Sequence, residues 1–192
     1  KVLALKYRAN TLEGLIGQAI IADTISNQIK LNKIPNAYLF TGIRGVGKTT
    51  IARIIARSLN CSNGFKNLCK EKMCEHCEAI SNSNHIDVLE LNGSDKTSVD
   101  DVRELIEFSK YGPTSAKYKI FIIDEVHQLS KQAFAALLKT LEEPPAYLKF
   151  ILCSTEIHKF PVTIVSRCQK YNLSRVKNLE LLNFLNKITK KE

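Results

Sequence analysis

Two groups of residues in this chain are spaced for chemistry. The first is Gly42-Ile43-Arg44-Gly45-Val46-Gly47-Lys48-Thr49, which fits the pattern G-x-x-x-x-G-K-[ST]. Its glycines let the backbone curl until its N–H groups converge on phosphate oxygens. The N-terminus of a following helix adds positive potential. Lys48 is placed to meet β- and γ-phosphates, and the Thr49 hydroxyl to bind Mg²⁺. Val46 and Thr50 complete the cradle. Further along, Asp124-Glu125 supplies two carboxylates. Asp124 is expected to hold Mg²⁺ through water, and Glu125 to orient or deprotonate an attacking water. Many phosphate loops serving kinases or switches lack the second acid, so its presence points to hydrolysis.

The second group is Cys61-x₇-Cys69-x₄-Cys74-x₂-Cys77. Four thiolates around Zn²⁺ close a tetrahedron and leave no open position, so the expected role is structural. The polar stretches Ser62-Asn63-Gly64 and Lys66-Asn67 cannot build a core, and a metal would fold them instead. Lys66, Lys70 and Lys72 are expected to offset the thiolate charge. The competing readings are a redox pair at Cys74/Cys77, which lacks a thioredoxin-like setting, and unligated surface cysteines. His76, inside the knuckle, could replace a thiolate but reads as a solvated neighbour. Cys153 and Cys168 stand alone. With no export signal, this cysteine usage fits metal chemistry in a reducing compartment better than disulfides.

The elements that must position these groups alternate. Ala19 to Leu31 has helical spacing of Ile20, Ile21, Ile25 and Ile29. Ala37 to Thr41 reads as the first strand, followed by the phosphate loop and a helix to Leu59. Ile86 to Leu91 reads as a second strand, and Val99 to Ser109 as a helix. Ile120 to Asp124 is an apolar run of the kind buried on both faces of a parallel sheet. A helix over Lys131 to Glu142 is stopped by Pro144-Pro145. Phe150 to Ser154 is a fourth strand, Pro161 to Val165 a short turn or helix, Lys170 to Leu173 a fifth strand, and Asn178 onward a helix. Lys6 to Ile16 reads as a polar leading segment. Strands alternating with helices imply an α/β fold with helices on both faces of a parallel sheet. Carboxylates at the end of such a strand face the crevice where these sheets bind ligands.

The chain has 192 residues, 44% of them hydrophobic, enough for one core. No apolar run approaches the ~18 residues of a membrane span. It starts at Lys1 and stops in a helical pattern, as a fragment of a longer protein would. The net charge is +9. Residues 1–60 carry nine Lys/Arg against two acids, residues 61–157 eleven against fifteen, and residues 158–192 eight against two. Basic ends suit a polyanionic partner, although general lysine richness explains them as well. Few aromatics and no Trp argue against a surface that stacks single-stranded bases.

Several ordered motifs together resemble the clamp-loader ATPases of the AAA+ superfamily, of the gamma/tau type in bacterial DNA polymerase III. They are Tyr7-Arg8, Leu15-Ile16-Gly17-Gln18 and Ala37-Tyr38-Leu39-Phe40-Thr41-Gly42. Next come the four-cysteine module directly after the phosphate-loop helix and Asp124-Glu125-Val126-His127-Gln128-Leu129-Ser130. Ala136-Leu137-Leu138-Lys139-Thr140-Leu141-Glu142-Glu143-Pro144-Pro145 and Pro161-Val162-Thr163-Ile164-Val165-Ser166-Arg167-Cys168 complete the set. The chain departs from the family pattern at Ala9, where Pro is usual, and in the middle cysteine spacing.

The resemblance implies an AAA+ P-loop NTPase core with a five-stranded parallel sheet over residues 1–176. It implies a small zinc-module insertion at residues 61–80 and the start of a helical lid at residues 177–192. It implies an ATPase, using ATP, Mg²⁺ and Zn²⁺, that loads a sliding clamp onto primed DNA within the DNA polymerase III holoenzyme in the bacterial cytoplasm. Tyr7, Arg8 and Ile16 would lie on the adenine side. Thr155 would be a first sensor of the γ-phosphate. Arg167 would act in trans as an arginine finger. Lys96, Thr97 and Ser98 would open a helix facing primer-template DNA. The partners implied are other subunits of a hetero-oligomeric ring, the clamp and DNA. The rival readings are a non-hydrolysing nucleotide-binding adaptor, against which the full set Lys48, Thr49, Asp124, Glu125 and Arg167 counts, and a branch-migration motor, which would not need the cysteine module.

Overall fold

Alternating apolar residues along Ala37–Thr41 decide the layering. Tyr38 and Phe40 point to one face of a sheet and Ala37 and Leu39 to the other, and all are buried. A strand apolar on both sides needs cover on both sides. In the computed structural model, which describes residues 3–95 and 99–191, it lies inside a sheet of five parallel strands. The strands are β1 (Ala37–Thr41), β2 (Val88–Asn92), β3 (Lys119–Asp124), β4 (Leu148–Ser154) and β5 (Gln169–Asn172), in the order β2-β3-β4-β1-β5.

The helices are α1 (Leu3–Lys6), α2 (Ala19–Lys30), α3 (Lys48–Asn60), α4 (Glu75–Ser81), α5 (Val99–Ser109), α6 (Lys131–Glu142), α7 (Val162–Val165) and α8 (Asn178–Thr189). Ile25 of α2 and Ile51, Ile54 and Ile55 of α3 pack with Tyr38, Phe40, Ile120 and Ile151 on one face. Val102 of α5 and Phe134 and Leu137 of α6 pack with Leu39, Phe121, Phe150 and Leu152 on the other. Ser130 caps α6 by accepting the Ala133 N–H at 3.2 Å, and Pro144-Pro145 follows its end.

The second strand begins two residues later than the apolar pattern suggests. The His85 ring accepts the Asp87 N–H at 2.9 Å and the His85 carbonyl accepts that of Val88 at 3.3 Å, so this backbone turns and leaves Ile86 exposed. The leading segment is not wholly irregular. It holds α1 and a 3₁₀ turn, Leu12–Gly14, whose Leu12 is buried. Lys96, Thr97 and Ser98 lie outside the described residues.

The strand order puts the carboxyl ends of β1 and β3 on either side of β4. Thr41 is level with Ser154, and Asn92 with Asp124. The chain leaving β2 runs close against the chain leaving β3. The Gly93 N–H donates to the Asp124 carbonyl at 2.8 Å, and a Cβ on Gly93 would stand 2.5 Å from the Glu125 carbonyl oxygen. Gly93→Ala must therefore push the Asp124-Glu125 backbone aside. The expected loss is about 1–3 kcal/mol of stability in urea denaturation. Gly112→Ala, which meets open space, should stay within about 0.5 kcal/mol of the parent. Matching midpoints for the two variants would show that the β2–β3 end does not depend on this contact.

Candidate functional site

The phosphate loop turns on three glycines with positive φ: Gly42 at 147°, Gly45 at 82° and Gly47 at 102°. Gly42 also has no room for a side chain, since a Cβ would come within 2.6 Å of the Leu173 carbonyl oxygen beyond β5. Lys48 is buried and folds back on the loop, its Nζ donating to the carbonyls of Gly42 and Ile43 at 2.8 Å each. Val46 packs half-buried against the core. The Thr50 hydroxyl accepts from Arg8 Nε at 2.9 Å.

The Thr49 hydroxyl donates to Asp124 Oδ2 at 2.5 Å, which joins the loop to the end of β3. Glu125 follows with φ 46° and ψ 42°. A residue with a side chain holds that left-handed conformation at a cost of roughly 1–3 kcal/mol. The turn is pinned by the Glu125 N–H on Asp124 Oδ1 and by the Gln128 N–H on the Glu125 carbonyl, both 2.9 Å. Glu125 Oε2 accepts the Thr155 hydroxyl at 3.0 Å and lies 3.4 Å from His127 Nδ1. That nitrogen is 2.8 Å from the buried Ser154 hydroxyl. A polar cleft of about 380 Å³ joins Gly45, Gly47, Thr49, Asp124 and Glu125, with Arg8 at its side.

Lys48, Thr49, Asp124, Glu125 and Thr155 are thus brought together. Arg8 lines the cleft, while Tyr7 and Ile16 are half-buried and do not. Arg167 is exposed and away from this cleft. Its Nη1 donates to the Thr163 carbonyl at 2.5 Å and its Nη2 to Glu142 Oε1 at 2.9 Å. Several contacts escaped the sequence reading. Arg53 makes a bidentate pair with Glu90 of β2, two bonds of 2.7 Å. His127 and Gly93 support Glu125 from either side. His127 carried a signal, standing two residues past the acid, whereas the Arg53–Glu90 pair links residues 37 apart and had none.

The four cysteine sulfurs of the second group lie within 4.8 Å of one another, and all four residues are free. Cys61 Sγ is 3.6 Å from that of Cys69 and 3.9 Å from that of Cys74. These separations are too long for a disulfide. They match the edge of about 3.8 Å that a tetrahedron with 2.3 Å metal–sulfur bonds requires. Cys69 Sγ receives the Cys74 N–H and the Asn63 amide, each at 3.3 Å. Burial opposes ionisation at Cys74, but the N–H groups of Cys77 and Ser62 outweigh it and bring the thiol down to about 6. Burial pushes Cys69 and Cys77 upward. The donor set therefore fits zinc. His76 is not in the cluster; its Nδ1 is 2.8 Å from His85 Nε2. Lys66, Lys70 and Lys72 are exposed, so solvent screens the charge they were expected to offset, and Lys70 Nζ lies 3.8 Å from Glu13 instead.

The family model for the DNA polymerase III delta subunit matches residues 17–177. A DNA polymerase III subunit tau/gamma of Haemophilus influenzae is 45% identical over the whole chain, which spans 28% of that protein. A DNA polymerase III subunit gamma of Buchnera aphidicola is 44% identical over the whole chain, which spans 52% of it. The chain thus spans about a quarter to a half of the length of these relatives. Among solved structures, a RuvB variant of Thermotoga maritima aligns with a TM-score of 0.64 at 19% identity, over 94% of this chain and 54% of that one. A DNA polymerase III gamma subunit-related protein of the same organism aligns with 0.55 at 22% identity, over 81% and 47%. These likenesses show that the chain shares the fold of those proteins. The matched family model and the identity over the whole chain lead to one conclusion: the chain belongs to the DNA polymerase III delta-subunit family and is similar along its whole length to the subunits gamma and tau.

Proposed function

We propose that this chain is the ATP-hydrolysing core of a clamp-loader motor subunit, part of the DNA polymerase III machinery of the bacterial cytoplasm, which loads a sliding clamp onto primed DNA. The observation that carries the reading is the joining of Thr49 to Asp124 in one cleft, with Thr155 bonded to Glu125 of the same cleft. Those contacts support reading the cleft as a phosphate cradle beside a Mg²⁺ position and a candidate base. An adaptor that only held nucleotide would not need Glu125 fixed by a strained turn.

In this reading Gly42, Gly45, Val46, Gly47 and Lys48 hold the phosphates. Thr49 and Asp124 take Mg²⁺, Thr50 completes the cradle, and Tyr7, Arg8 and Ile16 are assigned to the adenine side. Glu125 activates water and Thr155 senses the γ-phosphate. Catalysis is positioning and charge stabilisation more than covalent chemistry. Residues 1–176 form the core. Residues 177–192 begin a lid, consistent with the exposed Leu179, Leu182 and Leu185 on α8. Lys96, Thr97 and Ser98 are assigned to DNA contact. The deciding experiment is ATP turnover by the full-length protein with and without clamp and primed DNA, which should rise when both are present.

Lys48→Ala should weaken ATP binding in equilibrium titration, because it removes the cation that meets the β- and γ-phosphates. Glu125→Gln should bind ATP and fail to turn it over; normal turnover by that variant in the assembled complex refutes the role of Glu125.

Arg167 is assigned to the ATP site of the adjacent subunit. Arginine fingers are worth roughly 10³–10⁵ in rate. Mixed complexes of Arg167→Ala and Lys48→Ala subunits should hydrolyse ATP only at interfaces where an intact Lys48 meets an intact Arg167. Loss of nucleotide binding in the Arg167→Ala subunit itself would place the residue in cis.

The reading includes one structural Zn²⁺ on Cys61, Cys69, Cys74 and Cys77. A bound zinc supplies folding energy to this segment and no chemistry. Cys74→Ser should lose the metal and make residues 61–81 protease-sensitive, with the nucleotide core still folded. Metal analysis well below one equivalent per wild-type chain contradicts it.

A further inference from the structure

Arg57 is the largest fully buried side chain among the described residues. It lies one turn beyond Arg53 on α3, at the end of that helix remote from the phosphate loop. Its Nη1 donates to the Asn10 carbonyl at 2.7 Å and its Nη2 to the Cys69 carbonyl at 3.0 Å. Its Nε is the one buried side-chain polar atom, among the described residues, without a hydrogen-bond partner. No carboxylate pairs with it among the described residues. A guanidinium is always charged, and burying it against carbonyls alone leaves a full charge uncompensated.

The nearby chemistry that can compensate it is the cysteine cluster. Arg57 already grips the backbone of one member. Four thiolates around one divalent cation carry two net negative charges, which a buried guanidinium partly cancels. The exposed lysines of the segment are screened by water and do so weakly.

We infer that Arg57 is the counter-cation of the four-thiolate metal site, and that metal occupancy acts through it on the nucleotide cleft. The path is short. Arg57 holds Asn10, and Arg8, two residues earlier, reaches Thr50 beside the phosphate loop. Arg57 is a positioning residue here: it touches neither metal nor nucleotide. The inference rests on the zinc reading above.

The test uses the full-length chain in four forms: wild type, Arg57→Gln, Arg57→Lys, and Lys70→Ala with Lys72→Ala. Zinc affinity is measured by competition with a chromophoric chelator, and the site is read by the thiolate-to-metal absorption of bound Co²⁺. Arg57→Gln should bind zinc about 10–100-fold more weakly, as loss of outer-shell partners generally does. Arg57→Lys keeps the charge and should recover most of that affinity. It cannot fork to both carbonyls, so it should lose amide protection at residues 8–12 in hydrogen exchange. The double lysine variant should bind zinc within about twofold of wild type, because exposed charges are weakly coupled. In wild type, zinc addition should increase protection at residues 8–12, a readout that stands even where Arg57→Gln does not fold. Wild-type affinity in Arg57→Gln, or no change in exchange at residues 8–12 on zinc addition, overturns the role of Arg57. A wild-type chain that takes up no zinc overturns the zinc reading itself.

Discussion

The 2.5 Å hydrogen bond from the Thr49 hydroxyl to Asp124 Oδ2 is the contact that ties together the two sides of the polar cleft. It joins the loop after β1 to the end of β3, two strands that are not neighbours. It can form only if β4 between them holds both at one level, and the register does so by pairing Ile123 with Leu152 and Thr41 with Ser154. A slip of one residue would turn Leu39 and Phe40 to each other's faces and move the two carboxylates off the rim. The apolar code of the strands therefore sets the geometry of the polar site. The same levelling puts Thr155, the first residue past β4, where its hydroxyl meets Glu125.

Helix α3 transmits that constraint along its length. Its first residues are Lys48 and Thr49, and its last, Asn60, pairs through its amide with both backbone groups of Tyr118, 2.9 Å each, just before β3. Between these ends Arg53 locks onto Glu90 of β2 and Arg57 onto Asn10 and Cys69. The helix is thus held by polar contacts at three heights as well as by its isoleucines. In the cysteine segment that follows it, Leu68 and Met73 pack partly buried around the sulfurs, while Ile80 and Phe65 tie the segment to the main core that α3 helps to form.

What the sequence revealed divides along physical lines. Strands β1, β3 and β4 are legible because burial on both faces leaves unbroken apolar runs. Helix α6 is legible because Pro144-Pro145 marks its end chemically, while its Ser130 cap becomes visible in the structure. The phosphate loop and the cysteine spacing are legible because backbone geometry and ligand number restrict them. Gly93 is not, since its need for no side chain arises from the Glu125 carbonyl beyond another strand. Arg57 reads as a helical surface cation until tertiary packing closes over it. The start of β2 was misplaced because Ile86 looks apolar while the His85 ring and carbonyl occupy the backbone donors beside it.

The pairing of Arg167 with Glu142 bears on the proposed shared site. Glu142 ends α6 within the Leu141-Glu142-Glu143-Pro144-Pro145 motif, and the arginine follows α7, so two separate family motifs meet at one exposed ion pair. Its side chains are 33% and 49% exposed, and such pairs contribute only about 0–1 kcal/mol. A contact that weak can orient a guanidinium without committing it. Under the proposed shared-site reading, charge developing on a phosphoryl group in a low-dielectric interface would attract the same guanidinium far more strongly, so exchange of Glu142 for phosphate would be downhill once a neighbouring subunit presented its nucleotide.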